Sequence, residues 1–242
     1  EFTNYAVGGN TSTEILLSIT APTTYQAPYA VDRPDSGLNP NFNSLFYNLE
    51  QRGQKLERNA LYVMDGGGND IGNGRVFDEA TAAAVAANMV GAANALKERG
   101  AKFVVIANVP DFGLAPAGVP FAEFASTQAA AVNSQIQQQV GTGNILIYDS
   151  FTVLREVAAD PTAYGLPLTS TEFSVSCFSV DAGTCAGGNP DAKLSGANPD
   201  PDQFFFNDPL HPTTIGQQIS ADYLSSILLA PGEISLLPQM GI

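Results

Sequence analysis

Three uninterrupted apolar runs, each ending abruptly in turn-forming residues, constrain this chain more than any other feature. Ala60-Leu61-Tyr62-Val63-Met64 gives way to Gly66-Gly67-Gly68, Phe103-Val104-Val105-Ile106 to Asn108-Val109-Pro110, and Ile145-Leu146-Ile147-Tyr148 to Asp149-Ser150. A strand with one wet face alternates apolar and polar residues. A run without alternation fits a strand covered on both faces, as in a parallel sheet. Parallel neighbours need long crossovers, and the intervening segments carry helical periodicity. Between Asp78 and Arg99, Val85, Met89, Ala92 and Leu96 recur at helical spacing, with Asp78 placed to cap the start. Lys97 and Arg99 suit the negative end of that helix and Gly100 its stop. From about Phe121 to Val140 the same period returns at Ala125, Ala129, Val132 and Ile136, and Gly141 ends it. A further helix follows Pro212, a residue tolerated at a first helical position, with Ile215, Ile219, Tyr223 and Ile227 along one side. This alternation predicts an α/β fold with a doubly wound, mostly parallel sheet.

Composition narrows the function. The 242 residues suit one large domain or two small ones, and 44% hydrophobic residues supply a sizeable core. Ten Lys plus Arg against 24 Asp plus Glu leave a net charge of −14. Nucleic-acid binding needs a positive surface, so that partner is excluded, and anionic lipid headgroups are disfavoured by the same argument. No apolar stretch approaches the ~18 residues of a membrane helix. The opening Glu1-Phe2-Thr3-Asn4 lacks an initiator Met and reads as a processed piece. Two stretches, Thr20–Pro40 and Asp160–Phe204, read as irregular excursions of the kind that serve as binding or lid segments. The second holds Cys177 and Cys185, whose spacing matches no common zinc site and which have no histidine nearby. They form either a short-loop disulfide, adding ~2.5 kcal/mol in the chain-entropy model and implying an oxidising compartment, or two free thiols. Asp200-Pro201-Asp202 reads as a solvated loop rather than a calcium site.

Three segments carry residue types suited to catalysis. The single histidine, His211, follows Asp208 by three residues, with Pro209 and Pro212 stiffening the turn. A carboxylate at that distance can accept the Nδ1 hydrogen of the ring, leaving Nε2 as a general base. The alternative is an Asx-type turn capping the next helix. Gly66-Gly67-Gly68-Asn69-Asp70 follows an apolar strand, where open α/β sheets place ligands, and the Asn69 amide suits a developing oxyanion. The alternative is a tight strand-to-loop turn. No Gly-Lys-Ser/Thr follows to make a phosphate loop. The glycine-rich run Gly67 to Gly72, the basis for a dinucleotide-binding oxidoreductase, approaches Gly-x-Gly-x-x-Gly only in a shifted frame and lacks the acidic partner at the required spacing. In Asn4–Ser12, Gly8 or Gly9 can offer a backbone N–H to the same oxyanion, or simply end a short strand.

Together these blocks resemble the SGNH (GDSL-type) serine hydrolases, in particular the passenger domains of bacterial autotransporter esterases. Gly9 within Asn4–Gly9 matches the oxyanion glycine, Gly67-Gly68-Asn69-Asp70 the Gly-x-Asn-Asp block, and Asp208-Pro209-Leu210-His211 the Asp-x-x-His block. The resemblance covers nearly the whole chain. It implies a three-layer α/β/α, flavodoxin-like esterase acting on carboxylic esters without a metal or organic cofactor. The catalytic set it implies is His211, Asp208, Asn69 and Gly9. It implies a hydrolase domain over residues 1–230, with 231–242 starting a C-terminal linker, and a secreted or cell-surface context anchored through a barrel.

The family's Gly-Asp-Ser-Leu nucleophile block, on the first strand, does not occur in this sequence, which is expected to begin after it. Ser36 follows a Pro-rich stretch rather than a strand, and Ser12 reads as a helix N-cap for Glu14–Ile19. Without the first strand the sheet is expected to carry open edges. Self-association, strand donation by a partner or a rearranged N-terminal region follows from that. Two functions are therefore expected to compete: an ester hydrolase lacking its usual serine, and a non-catalytic surface-protein module that keeps the hydrolase fold.

Overall fold

The signals of the sequence can be followed in order through a computed structural model that describes residues 4–26, 41–141, 144–177 and 201–230. The chain divides into two units, Glu1–Ala159 and Asp160–Ile242. In the first unit, α1 spans Ser12–Thr20. Its cap is Thr11, not Ser12: the extended backbone sits at Thr11, whose N–H donates to the Glu14 carboxylate at 3.0 Å, and Ser12 is already helical. Two short strands, β1 (Thr24–Gln26) and β2 (Asn41–Asn43), pair antiparallel with Tyr25 opposite Phe42, so the expected excursion contains a strand. Helix α2 (Leu45–Gln51) starts at Ser44, whose hydroxyl accepts the Tyr47 N–H.

The three apolar runs then form one parallel sheet in the order β3 (Leu61–Asp65), β4 (Phe103–Ala107) and β5 (Leu146–Tyr148). Val63 pairs with Val105, and Val105 with Leu146. Short helix α3 (Gly68–Gly72) follows β3 where a turn was expected. The crossovers are α4 (Glu79–Glu98) and α5 (Ala122–Val140), and α6 (Ser150–Ala159) follows β5. Asp78 caps α4 as its sequence predicts, accepting the Thr81 N–H at 2.8 Å. Strand, helix and strand therefore alternate in an α/β fold.

One face of the sheet presents Met64, Val104 and Ile106 to the stripes read from the sequence, Val85, Met89 and Leu96 on α4 and Ala129, Val132 and Ile136 on α5. Each large side chain buried there contributes about 1.5–3 kcal/mol. The opposite face departs from expectation at β3. Residues Val104–Ala107 of β4 are buried, but Leu61 and Val63 of β3 are 44% and 48% exposed and Phe103 is 54% exposed. Strand β3 ends the sheet, and among the described residues its outer edge pairs with no strand.

In the second unit, Phe173, Phe205 and Phe206 form an aromatic cluster with centroids 4.9–5.6 Å apart. Cys177 is fully buried beside Phe204 and Val175. Helix α7 spans Thr214–Leu228, capped by Thr213, so Pro212 precedes the cap rather than opening the helix. Ser36, Cys185 and residues 231–242 lie outside the described residues.

Candidate active site

Packing at the end of β3 dictates its glycines. A Cβ on Gly66 would lie 2.0 Å from Ile15 of α1, and one on Gly68 would lie 2.8 Å from the Phe112 ring. Gly67 has φ +91°, and a Cβ there would meet Val109 at 2.8 Å. The close approach of α1 and of the 109–112 segment thus accounts for the whole glycine run. Gly9 has φ +81° at the third position of a turn in which the Asn10 N–H reaches the Val7 carbonyl at 3.3 Å.

The two glycine-bearing loops are stitched together. The Asn69 side-chain amide donates to the Asn10 carbonyl at 2.9 Å, which sets Asn69 beside the residue following Gly9. An amide nitrogen carries two hydrogens, so one stays available after this bond. Next to it, Asp70 accepts the Ser12 N–H at 2.8 Å on one carboxylate oxygen and the Ser12 hydroxyl at 2.9 Å on the other. Asn88 of α4 adds a bond to the Ser12 hydroxyl at 3.1 Å. Burial pushes the Asp70 carboxyl up, against the lowering pull of the Ser12 bonds and of Arg75. Sequence reasoning assigned Asp70 no role, although it completes the Gly-x-Asn-Asp block. Ser12 is 1% exposed with its hydroxyl committed to Asp70, which leaves it inaccessible to a substrate.

The segment after β4 is fixed by side chains imitating backbone. The Asn133 amide brackets Val109, accepting its N–H and donating to its carbonyl, both at 2.8 Å. Buried Asp111 accepts the Gly113 N–H at 3.0 Å and the Arg155 guanidinium at 3.0 Å.

In the second unit, the predicted pair is present within one turn. His211 Nδ1 lies 2.8 Å from Asp208 Oδ2, and Asp208 Oδ1 accepts the backbone N–H groups of Leu210 and His211, each at 2.8 Å. The Asn207 N–H closes the turn on the His211 carbonyl at 2.8 Å, and Phe206 bridges Pro212. An Asx-type turn and the aligned imidazole therefore coexist on one carboxylate, but the turn does not cap the next helix as the alternative had it, since Thr213 does. Burial would raise Asp208, but the two backbone donors and the imidazole outweigh it and hold the carboxyl below its ordinary value. The His211 side chain is 75% exposed. Gly9 with Asn69, and Asp208 with His211, are thus assembled each within its own unit.

Residues 1–224 match the GDSL-like lipase/acylhydrolase family. Proteins named Esterase EstA from Pseudomonas aeruginosa and Pseudomonas putida are 34% identical to this chain over 98% of its length and 36% of theirs. A Pseudomonas putida protein described only by its place between trpE and trpG is 35% identical over 98% of this chain and 39% of its own length. The chain spans well under half the length of these relatives.

Proposed function

The chain belongs to the GDSL-like lipase/acylhydrolase family, and from that premise we propose that it carries the acid–base and oxyanion parts of a carboxylic-ester hydrolase. The observation that carries this reading is the 2.8 Å contact between His211 Nδ1 and Asp208. It fixes the proton on Nδ1 and leaves Nε2 as the base, and Asp208, held ionised by two backbone donors, stabilises the imidazolium that forms. Gly9 N–H and the remaining Asn69 hydrogen supply the oxyanion donors, each typically worth ~3–4 kcal/mol in the transition state. With a serine nucleophile, Nε2 takes the hydroxyl proton as the oxygen attacks the ester carbonyl and returns it to the leaving alcohol. Water then resolves the acyl-enzyme by the same route. Residues 1–230 act in this reading as one hydrolase domain.

A second reading, a hydrolase-fold module without turnover, is favoured by one feature: Ser12 is buried with its hydroxyl committed to Asp70. Loss of a serine nucleophile lowers kcat by roughly 10⁶, while oxyanion donors and binding alone retain roughly 10³–10⁴ over water. Hydrolysis of p-nitrophenyl butyrate by the 242-residue chain and by His211→Ala separates the readings. Turnover above buffer that falls in the variant supports the hydrolase, and equal rates remove His211 from any mechanism.

Two further assignments accompany the reading. The exposed Leu61 and Val63 and the outer edge of β3 favour addition of a strand, from a partner or a second copy. The net charge of −14 fits a secreted or cell-surface protein, as would the disulfide expected from the sequence between Cys177 and Cys185.

A further inference from the structure

We propose that Val119, Phe121 and Phe124 form a ridge that docks on the surface of an aggregated, uncharged ester, such as an acylglycerol droplet. This rests on the esterase reading and names the physical form of its substrate. The three side chains are 49%, 66% and 54% exposed. They are not spare core: the inward stripe of α5 is already supplied by Ala125, Ala129, Val132 and Ile136. Phe121 and Phe124 stand three residues apart and flank an open concavity of about 570 Å³, with Pro120 and Thr127 on its walls. A concavity this open does not enclose a single chain, whereas protruding rings suit insertion into a surface.

Position ties the ridge to the candidate site. The Phe112 ring lies against Gly68, next to Asn69, and Gly113 of the same turn packs against Ala122 and Ser126 at the base of the ridge. One layer of side chains therefore separates the oxyanion loop from the root of the aromatic pair. Charge selects the surface: Glu123 lies between the rings and the chain carries −14, so an anionic surface is repelled and a neutral one is not.

Flotation with trioctanoylglycerol droplets tests the proposal on the 242-residue chain without requiring turnover. The parent floats with the droplets, and the Phe121→Ser/Phe124→Ser variant partitions less by roughly tenfold per ring removed. The single variants give intermediate values, which keeps the series readable if the double variant folds poorly. Leu229→Ser, at an apolar side chain that is 81% exposed in the second unit, leaves partitioning unchanged. His211→Ala floats like the parent, so a failure of the hydrolase reading shows separately. Doping the droplets with an anionic lipid lowers adsorption. A parent that stays in solution, a double variant that floats equally, an equal fall in Leu229→Ser or a gain on anionic droplets overturns the proposal.

Discussion

Replacing Asp70 with Ala removes the carboxylate that joins the strand-end loop to the start of α1. Two bonds are lost, from the Ser12 N–H at 2.8 Å and the Ser12 hydroxyl at 2.9 Å. The hydroxyl keeps its bond from Asn88, but the N–H of a residue only 1% exposed is left without a partner. A hydrogen bond to a charged acceptor contributes about 1.5–3 kcal/mol, and a buried unpaired donor costs about 1–3 kcal/mol. Removing a carboxyl that burial disfavours in its charged form offsets part of this, so the net loss is about 2–4 kcal/mol. In Asp70→Asn the side-chain oxygen still accepts the Ser12 N–H, and the loss falls to about 1 kcal/mol. The chain has no Trp, so urea unfolding is followed by far-UV circular dichroism, with hydrogen exchange at Ser12 reporting the first unit. An Asp70→Ala midpoint within 0.5 kcal/mol of the parent's stability, or unchanged protection at Ser12, refutes the stitch between the loops.

The same carboxyl sets a pH dependence: its folded pKa is raised above the ordinary 3.8, so the proton-linked part of its contribution is fully present below that value and is lost as pH rises through the raised one, while the bonds to Ser12 remain. Asp70→Asn flattens this part of a stability-against-pH curve. Asp208 is lowered, so the stability lost in Asp208→Asn is present at neutral pH and disappears as pH falls through the lowered value. Gly67→Ala combines a strained φ of +91° with an overlap on Val109, and thermal unfolding should show a loss of about 2–4 kcal/mol. Val63→Lys places a charge on the exposed strand β3, and light scattering should show any self-association of the parent weakened.

Legibility followed locality. The stripes of α4 and α5 and the Asp78 cap could be read because each depends on residues a few positions apart. The Asp208–His211 contact was legible for the same reason. The bond from Asn69 to Asn10 spans 59 residues, and the sequence could offer Gly9 and Asn69 to one oxyanion without giving the contact that joins them. The apolar run of β3 predicted cover on both faces, yet Leu61 and Val63 are exposed, because a run records what side chains prefer and not which element lies over them. Ser12 and Thr11 are both plausible caps by type, and the backbone chose Thr11 while Ser12 turned to Asp70. Phe121 and Phe124 fall off the inward stripe of α5, and a search for core periodicity passes over them.

The proposal that Asp208 and His211 supply the acid–base pair, and Gly9 and Asn69 the oxyanion donors, of an ester hydrolase is tested most directly by a double-mutant cycle. Hydrolysis of p-nitrophenyl butyrate is measured for the parent, His211→Ala, Asn69→Ala and the double variant. Oxyanion donors keep part of their effect when the base is lost, so each single variant should lower turnover, Asn69→Ala by roughly 10²–10³, and the double variant should fall below either. Full turnover in either single variant, or a double variant no slower than His211→Ala, would contradict the assignment.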